Sequence, residues 1–336
     1  MTQLSLVTQV SFKEAITSLE LADLSESGKD NIVISTMNGD LRVFDFVSGK
    51  KPKLKEIART SGLPPVAVLD VGDILGNGSP DFIVAGLDNQ LRLLVFMDGK
   101  LQVKCSTPIG TLPTSLVVTN VMDDTSAEVI VATNDNALRC YGWFDVVLDK
   151  LAHKVVESPV FSMRPLSIAS MPYSRFVFGD EAGYLYVYQY ADDRLHEIDR
   201  VKVGGEVQLV ATGSITGGRY DEIATVSDGR TLTLFGVEQQ SLESILKIKT
   251  PDVATAVRMG RIIDDEAGGQ VLLTLRDSTV LLLGFTGLEL KEIASLKTAP
   301  KPGESLVAFG DIDGDSSMEI VQAVGNNLYV IEVENE

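Results

Sequence analysis

The chain is poor in the residues on which catalytic and disulfide-held proteins rely. Its 336 residues include two cysteines, two histidines and one tryptophan. Cys105 and Cys140 are too few for a disulfide framework and lack metal-site spacing. Basic residues are also scarce, with 29 Lys and Arg against 47 Asp and Glu, a formal net charge of −18. Phosphate backbones are bound by clustered Lys and Arg, so no nucleic-acid partner is expected. Long apolar runs are missing: stretches such as TVLLLGF are far too short to cross a bilayer, which excludes membrane insertion through helices. The N-terminal MTQLSLVTQVSFKEA lacks a basic region followed by an apolar run, so no signal peptide is expected and the protein is assigned to the cytoplasm. Hydrophobic content of 44% suffices for a core.

What the sequence does have is a repeat. Short Val/Ile/Leu/Tyr-rich runs alternate with Gly, Asp and Asn turns, an all-β pattern. One run recurs in phase: LRVFDF from Leu41, LRLLVF from Leu91, LRCYGW from Leu138, LYVYQY from Leu185, LTLFGV from Leu232, VLLLGF from Val280 and LYVIEV from Leu328. The steps are 50, 47, 47, 47, 48 and 48 residues. Each unit also carries two earlier strands, such as VAVLDVG (Val66 to Gly72) and DFIVAGL (Asp81 to Leu87), and a later one, such as KLKEIART from Lys53. The tight turns before the phased strands, for example MNGD, LDNQ and SDGR, hold residues that tolerate positive φ. Four antiparallel strands per unit, seven times, define a single seven-bladed β-propeller over residues 1–336. The last unit, about 304–336, ends without a fourth strand. LSLVTQVSF, within about 3–12, has the pattern to supply it and so to close the ring. Two stacked β-sandwiches are the alternative, but they do not keep one period along a whole chain.

The turn GDIDGDSSMEI (Gly310 to Ile320) sets carboxylates at alternate positions. Asp311, Asp313, Asp315 and Glu319 stand at places 1, 3, 5 and 9, and the Ser317 carbonyl stands at 7, a pattern that can converge on a hard cation. Place 6, where the backbone turns sharply, is Ser316. The corresponding turns are poorer in carboxylates: Asp73, Leu75, Asn77 and Asp81 in unit two, Asp23, Ser25, Ser27 and Asn31 in unit one, and Ser214, Thr216, Gly218 and Glu222 in unit five. There these side chains are expected to cap the turn by accepting backbone N–H bonds.

GDIDGDSSMEIVQAVG and GDILGNGSPDFIVAG (Gly72 to Gly86), with the Phe309-Gly310 pair, resemble the FG-GAP or VCBS-type repeat of integrin-α-like propellers. ADLSESGKDNIVIS (Ala22 to Ser35) is a recognisable third copy, whereas units three to six share only the strand phase. The resemblance implies one weak, structural Ca²⁺ in unit seven, although the family usually has Gly where this chain has Ser316. It also implies a binding rather than catalytic protein. Integrin-type propellers bind protein ligands outside cells; intracellular ones, as in KICSTOR and the Bardet–Biedl syndrome coat complex, are assembly subunits. The missing signal peptide and disulfides favour the second kind.

Chemistry is hard to find. His153 and His196 fall in outer strands, and Cys140 and Cys105 fall in strand packing. No Gly-x-Ser-x-Gly, His-Glu-x-x-His or Gly-Lys-Ser/Thr motif occurs. The acidic pairs Asp123-Asp124, Asp192-Asp193 and Asp264-Asp265 sit in turns, where solvated carboxylates are ordinary. The expected function is therefore a non-enzymatic interaction platform with an unidentified protein partner. The rival is a glycan- or small-molecule-binding propeller, or a hydrolase or lyase, with its site at the central channel mouth. Trp143, Phe144 and Val147, in the unusual YGWFDVVLDKLAHKVV, form a candidate interface if exposed. Otherwise they make an ordinary hairpin packed on the next blade.

Overall fold

A computed structural model describes residues 2–169, 171–218, 220–238, 240–263 and 268–335. These form seven four-stranded antiparallel sheets and no helix. In chain order the blades span 16–60, 66–108, 113–155, 160–202, 207–249 and 254–297. The seventh consists of Ser305–Gly310, Glu319–Val324 and Asn327–Asn335, with Thr2–Ser11 as its outer strand. Thr2–Ser11 pairs antiparallel with Asn327–Asn335, from Thr2 opposite Asn335 to Ser11 opposite Asn327, and so closes the ring.

The period arises because every blade must be buried on both faces. All seven second strands, such as Asn31–Thr36 and Asp81–Gly86, are buried at each position. Alternate side chains point to opposite neighbours: Ile32 and Ile34 pack with Val321 and Val330 of blade seven, whereas Val33 packs with Phe82 and Val84 of blade two. Each adjacent pair of blades shares one apolar cluster of this kind, including the pair formed by blades six and seven, where Leu4 joins Leu272 and Ile320.

Two bulges recur. Between third and fourth strands the register skips one residue in every blade: Ile57, Lys104, Leu151, Ile198, Ile245, Ile293 and, in the closing strand, Val7. A bulge bends a strand and increases its twist, which suits the strongly twisted outer edge of a blade. A second bulge at the start of the first strand skips Thr17, Ala67, Thr114, Phe161, Gln208 and Thr255. These six residues come from blades one to six. Five of them line the central channel.

The loops divide between two faces. Turns joining first to second and third to fourth strands lie on one, which carries the acidic turns. Turns joining second to third strands, and the connections between blades, lie on the other. On that second face the tight turns of blades one to six are hydrogen-bonded to the preceding connection, as in Met37 N–H to Ala15 O (2.9 Å), Leu87 N–H to Pro65 O (2.9 Å) and Asn134 N–H to Leu112 O (2.9 Å). Positive φ falls where the sequence places it, at Gly39, Asn89, Asn136, Gly183, Asp228 and Gly325.

Candidate functional site

The Asp311 turn lies between the first two strands of blade seven. Ligand-capable oxygens of Asp311, Asp313 and Asp315 come within 4.8 Å of one another. Asp311 also organises the turn: its two oxygens accept the Gly314 N–H (2.6 Å) and the Ser316 N–H (2.8 Å). Asp23 and Asp73 do the same work in blades one and two, accepting from Gly28 (2.6 Å) and Gly78 (2.7 Å). Ser316 has φ +73°, the left-handed geometry that favours glycine. The three clustered carboxylates suit a hard cation such as Ca²⁺.

Glu319 stands apart from that trio. It is 5% exposed, and its Oε2 accepts the Ile312 N–H at 3.0 Å. Burial, reinforced by the Asp313, Asp315 and Asp311 charges, pushes its carboxyl up to about 7. The same place is an acceptor in five other blades. Asn31 takes the Leu24 N–H (3.4 Å), Asp81 those of Ile74 (3.1 Å) and Leu75 (2.9 Å), and Glu128 that of Val121 (2.8 Å). Glu222 takes the Ile215 N–H (2.7 Å), and Gln270 those of Ile262 (2.8 Å) and Ile263 (2.9 Å). This recurring cap ties each loop to the strand that follows. The capping expected of Asn31, Asp81 and Glu222 is what the hydrogen bonds show. Glu128 and Gln270 were not recognisable as repeat positions, because the residue type changes while the acceptor oxygen persists. The loops are further stitched blade to blade, as in Asp30 N–H to Asp311 O (2.7 Å), Ala127 N–H to Asp73 O (2.7 Å) and Ser174 N–H to Asn120 O (2.7 Å).

The central channel encloses a cavity of about 230 Å³ lined by first strands of all seven blades. Four charged residues, each three places before its loop, share one layer: Glu20, Asp70, Arg164 and Arg258. Arg258 is ion-paired with Glu20 at 3.2 Å. Asp70 accepts the Val118 N–H (2.7 Å) and the Val71 N–H (2.9 Å). Burial and then the nearby Glu20 charge raise its carboxyl to about 7. Burial likewise lowers Arg164, to about 10. Two acids and two bases thus share the layer, and the acids are committed to an arginine or to backbone N–H groups. Most of the remaining lining is Thr, Ser, Ala, Leu and Val, with Phe161 the one aromatic. A deep mouth rich in carboxylates and aromatics, the mark of the rival reading, is not what this lining provides.

Other reactive groups are dispersed. His153 and His196 sit on outer strands Val147–Val155 and Arg194–Lys202. His196 Nε2 lies 3.1 Å from Ala191 O. Cys140 is buried in the core between blades three and four, and its thiol is pushed up by burial. Cys105 is half-buried. Asp123-Asp124 and Asp192-Asp193 occupy separate turns; Asp264-Asp265 lies outside the described residues.

Exposed apolar side chains occur on both faces and on outer strands, and one series follows the face of the second-to-third turns. Met37 (54% exposed), Leu87 (50%), Leu112 (41%) and the bulged Phe161 (39%) stand on four successive blades. On the other face, the third-to-fourth hairpins expose Met97 in blade two, Phe144, Val146 and Val147 in blade three and Leu288 (92%) in blade six, while Trp143 is partly buried. Trp143 packs in the cluster shared with Ile83 and Leu93 of blade two. Trp143 thus packs on the preceding blade, which corrects the sequence reading that placed it against the next; the partner face of the same hairpin, through Leu151 and Ala152, does meet the next blade.

The fold is that of a seven-bladed β-propeller whose last blade is closed by the N-terminal strand. No family model matches the chain, and no curated protein matches it. Among solved structures it is similar to BBS1N crystallised in complex with ARL6DN. The mercury-soaked form gives a TM-score of 0.72 at 12% identity, covering 99% of this chain and 97% of that one. The lead-soaked form gives 0.74 at 9% identity with the same coverage. The chain is also similar to Saccharomyces cerevisiae Sqt1, with a TM-score of 0.65 and 14% identity over 97% of this chain and 86% of that one. At these identities the likeness is one of fold.

Proposed function

We propose that the protein is a non-enzymatic interaction platform, a cytoplasmic subunit of a larger assembly, that binds a protein partner through the face of its second-to-third turns. The observation that carries this reading is the arc of Met37, Leu87, Leu112 and Phe161 across blades one to four. Exposed apolar side chains repeated along one face of a stable domain are what a protein interaction site requires. The disc behind it is rigid, because each blade is buried on both faces and the ring is closed. BBS1N, similar in fold, was crystallised in complex with ARL6DN, and a propeller engaging a protein partner is the mode carried over here. The acidic turns of blades one, two and seven are of FG-GAP type, and the blade-seven turn holds one weak structural Ca²⁺ through Asp311, Asp313 and Asp315.

Affinity capture from native lysate, wild type beside a Met37→Asp/Leu87→Asp variant, tests the platform. A stoichiometric partner lost from the variant supports it. A partner retained by the variant, or none with the wild type, refutes it.

A further inference from the structure

Blade four breaks the capping rule. Where six blades open their second strand with an acceptor, blade four has Arg175, at the start of Arg175–Asp180. Its side chain is buried, 3% exposed, like the caps it replaces. Its Nε and Nη1 are both buried and have no hydrogen-bond partner among the described residues. The backbone group that the cap would serve, the N–H of buried Ile168, has no side-chain acceptor among the described residues. The equivalent N–H groups of Val121 and Ile215 in the flanking blades are each taken by a carboxylate, at 2.8 and 2.7 Å.

Among the described residues the place therefore has donors and a positive charge but no acceptor. An unpaired cation held out of water is costly, and so is each unmatched N–H. A water molecule answers this poorly, since it brings two hydrogens of its own and finds no acceptor for them. An oxyanion offers several acceptor oxygens, carries the missing charge and matches the planar fork of a guanidinium.

We propose that blade four holds an oxyanion site at Arg175, in which a small bound oxyanion supplies the acceptor oxygens that Glu128 and Glu222 supply in the neighbouring blades. The site is independent of the apolar face and of the Asp311 turn.

The test is thermal unfolding of the full chain in chloride buffer at fixed ionic strength, titrated with inorganic phosphate and, separately, with acetate. The wild type is compared with Arg175→Gln, which places in blade four the amide acceptor that Gln270 provides in blade six, and with Arg175→Glu. Phosphate at about ten times its dissociation constant is expected to raise the wild-type Tm by about 2–3 °C, saturably. Neither variant should show a saturable rise, which separates the site from the general, non-saturating effect of salting-out anions. A matching response to acetate would assign the site to carboxylates as well; a response to phosphate alone would confine it to phosphate-like anions. If one variant fails to fold, the other serves. Absence of a saturable wild-type shift with both anions, or an equal shift in a folded variant, would overturn the proposal.

Discussion

Single residues set how this molecule responds to pH and to metal. Asp81 is pushed up to about 6, and Glu128 and Glu319 to about 7, in each case chiefly by burial. Their unfolded values lie near 4, so between there and about pH 7 the folded chain holds protons that the unfolded chain releases. Stability must then fall as pH rises through that window and be greatest on its acid side. Unfolding from pH 5 to 8 should show that slope, and Glu128→Gln, keeping an acceptor but losing the titration, should flatten it. Glu128→Ala should instead cost about 1–3 kcal/mol, the penalty for an orphaned buried N–H. Ser316 makes a second case. Its φ of +73° is a feature of the fold itself, so Ser316→Gly should stabilise the protein by a few tenths to about 1 kcal/mol, net of glycine's extra freedom when unfolded. Calcium should raise the wild-type melting temperature and leave that of Asp313→Ala unchanged. The alternation of Asp311, Asp313 and Asp315 was legible in the sequence. The diversion of Glu319 to Ile312 was not, because a carboxylate written at place 9 serves equally as ligand or as cap.

Strands and turns show where the repeat tolerates no change. Gly39 has φ +82°, and a Cβ added there would lie 1.7 Å from the Leu63 carbonyl oxygen. Gly39→Ala should therefore destabilise by several kcal/mol, since backbone on both sides must move. Ring closure is as exacting: Leu4 is 5% exposed between blades six and seven. Leu4→Asp, burying an unpaired charge in place of an apolar contact, should cost at least about 3 kcal/mol and broaden the unfolding transition, read by calorimetry. The seven phased strands, the tight turns and the closing strand could be read from sequence, because alternation and turn chemistry are local signals. The seven outer bulges could not. Ile57, Leu151, Ile198, Ile245, Ile293 and Val7 are apolar, but Lys104 holds the same place, so register rather than residue type defines the feature. Nor could the channel layer, whose four charges come from blades one, two, four and six and meet only when the ring closes.

At the scale of the whole molecule, a net charge of −18 is spread over a disc whose channel layer holds two acids and two bases and whose apolar arc follows one face. Self-repulsion of that magnitude keeps the free protein dispersed, so its exposed apolar side chains can await a partner without self-association. Arg42 and Arg92, beside that arc, are paired with Asp40 and Asp88 at 3.1 and 2.5 Å, so the arc presents few free charges to desolvate. The most direct measurement is hydrogen exchange on the complex of this protein with its captured partner, compared with the free protein. Protection concentrated in the second-to-third turns and connections of blades one to four, around Met37, Leu87 and Leu112, is the predicted result. Protection confined to the opposite face, at the blade-three hairpin of Phe144 to Val147 or at the acidic turns, would contradict it.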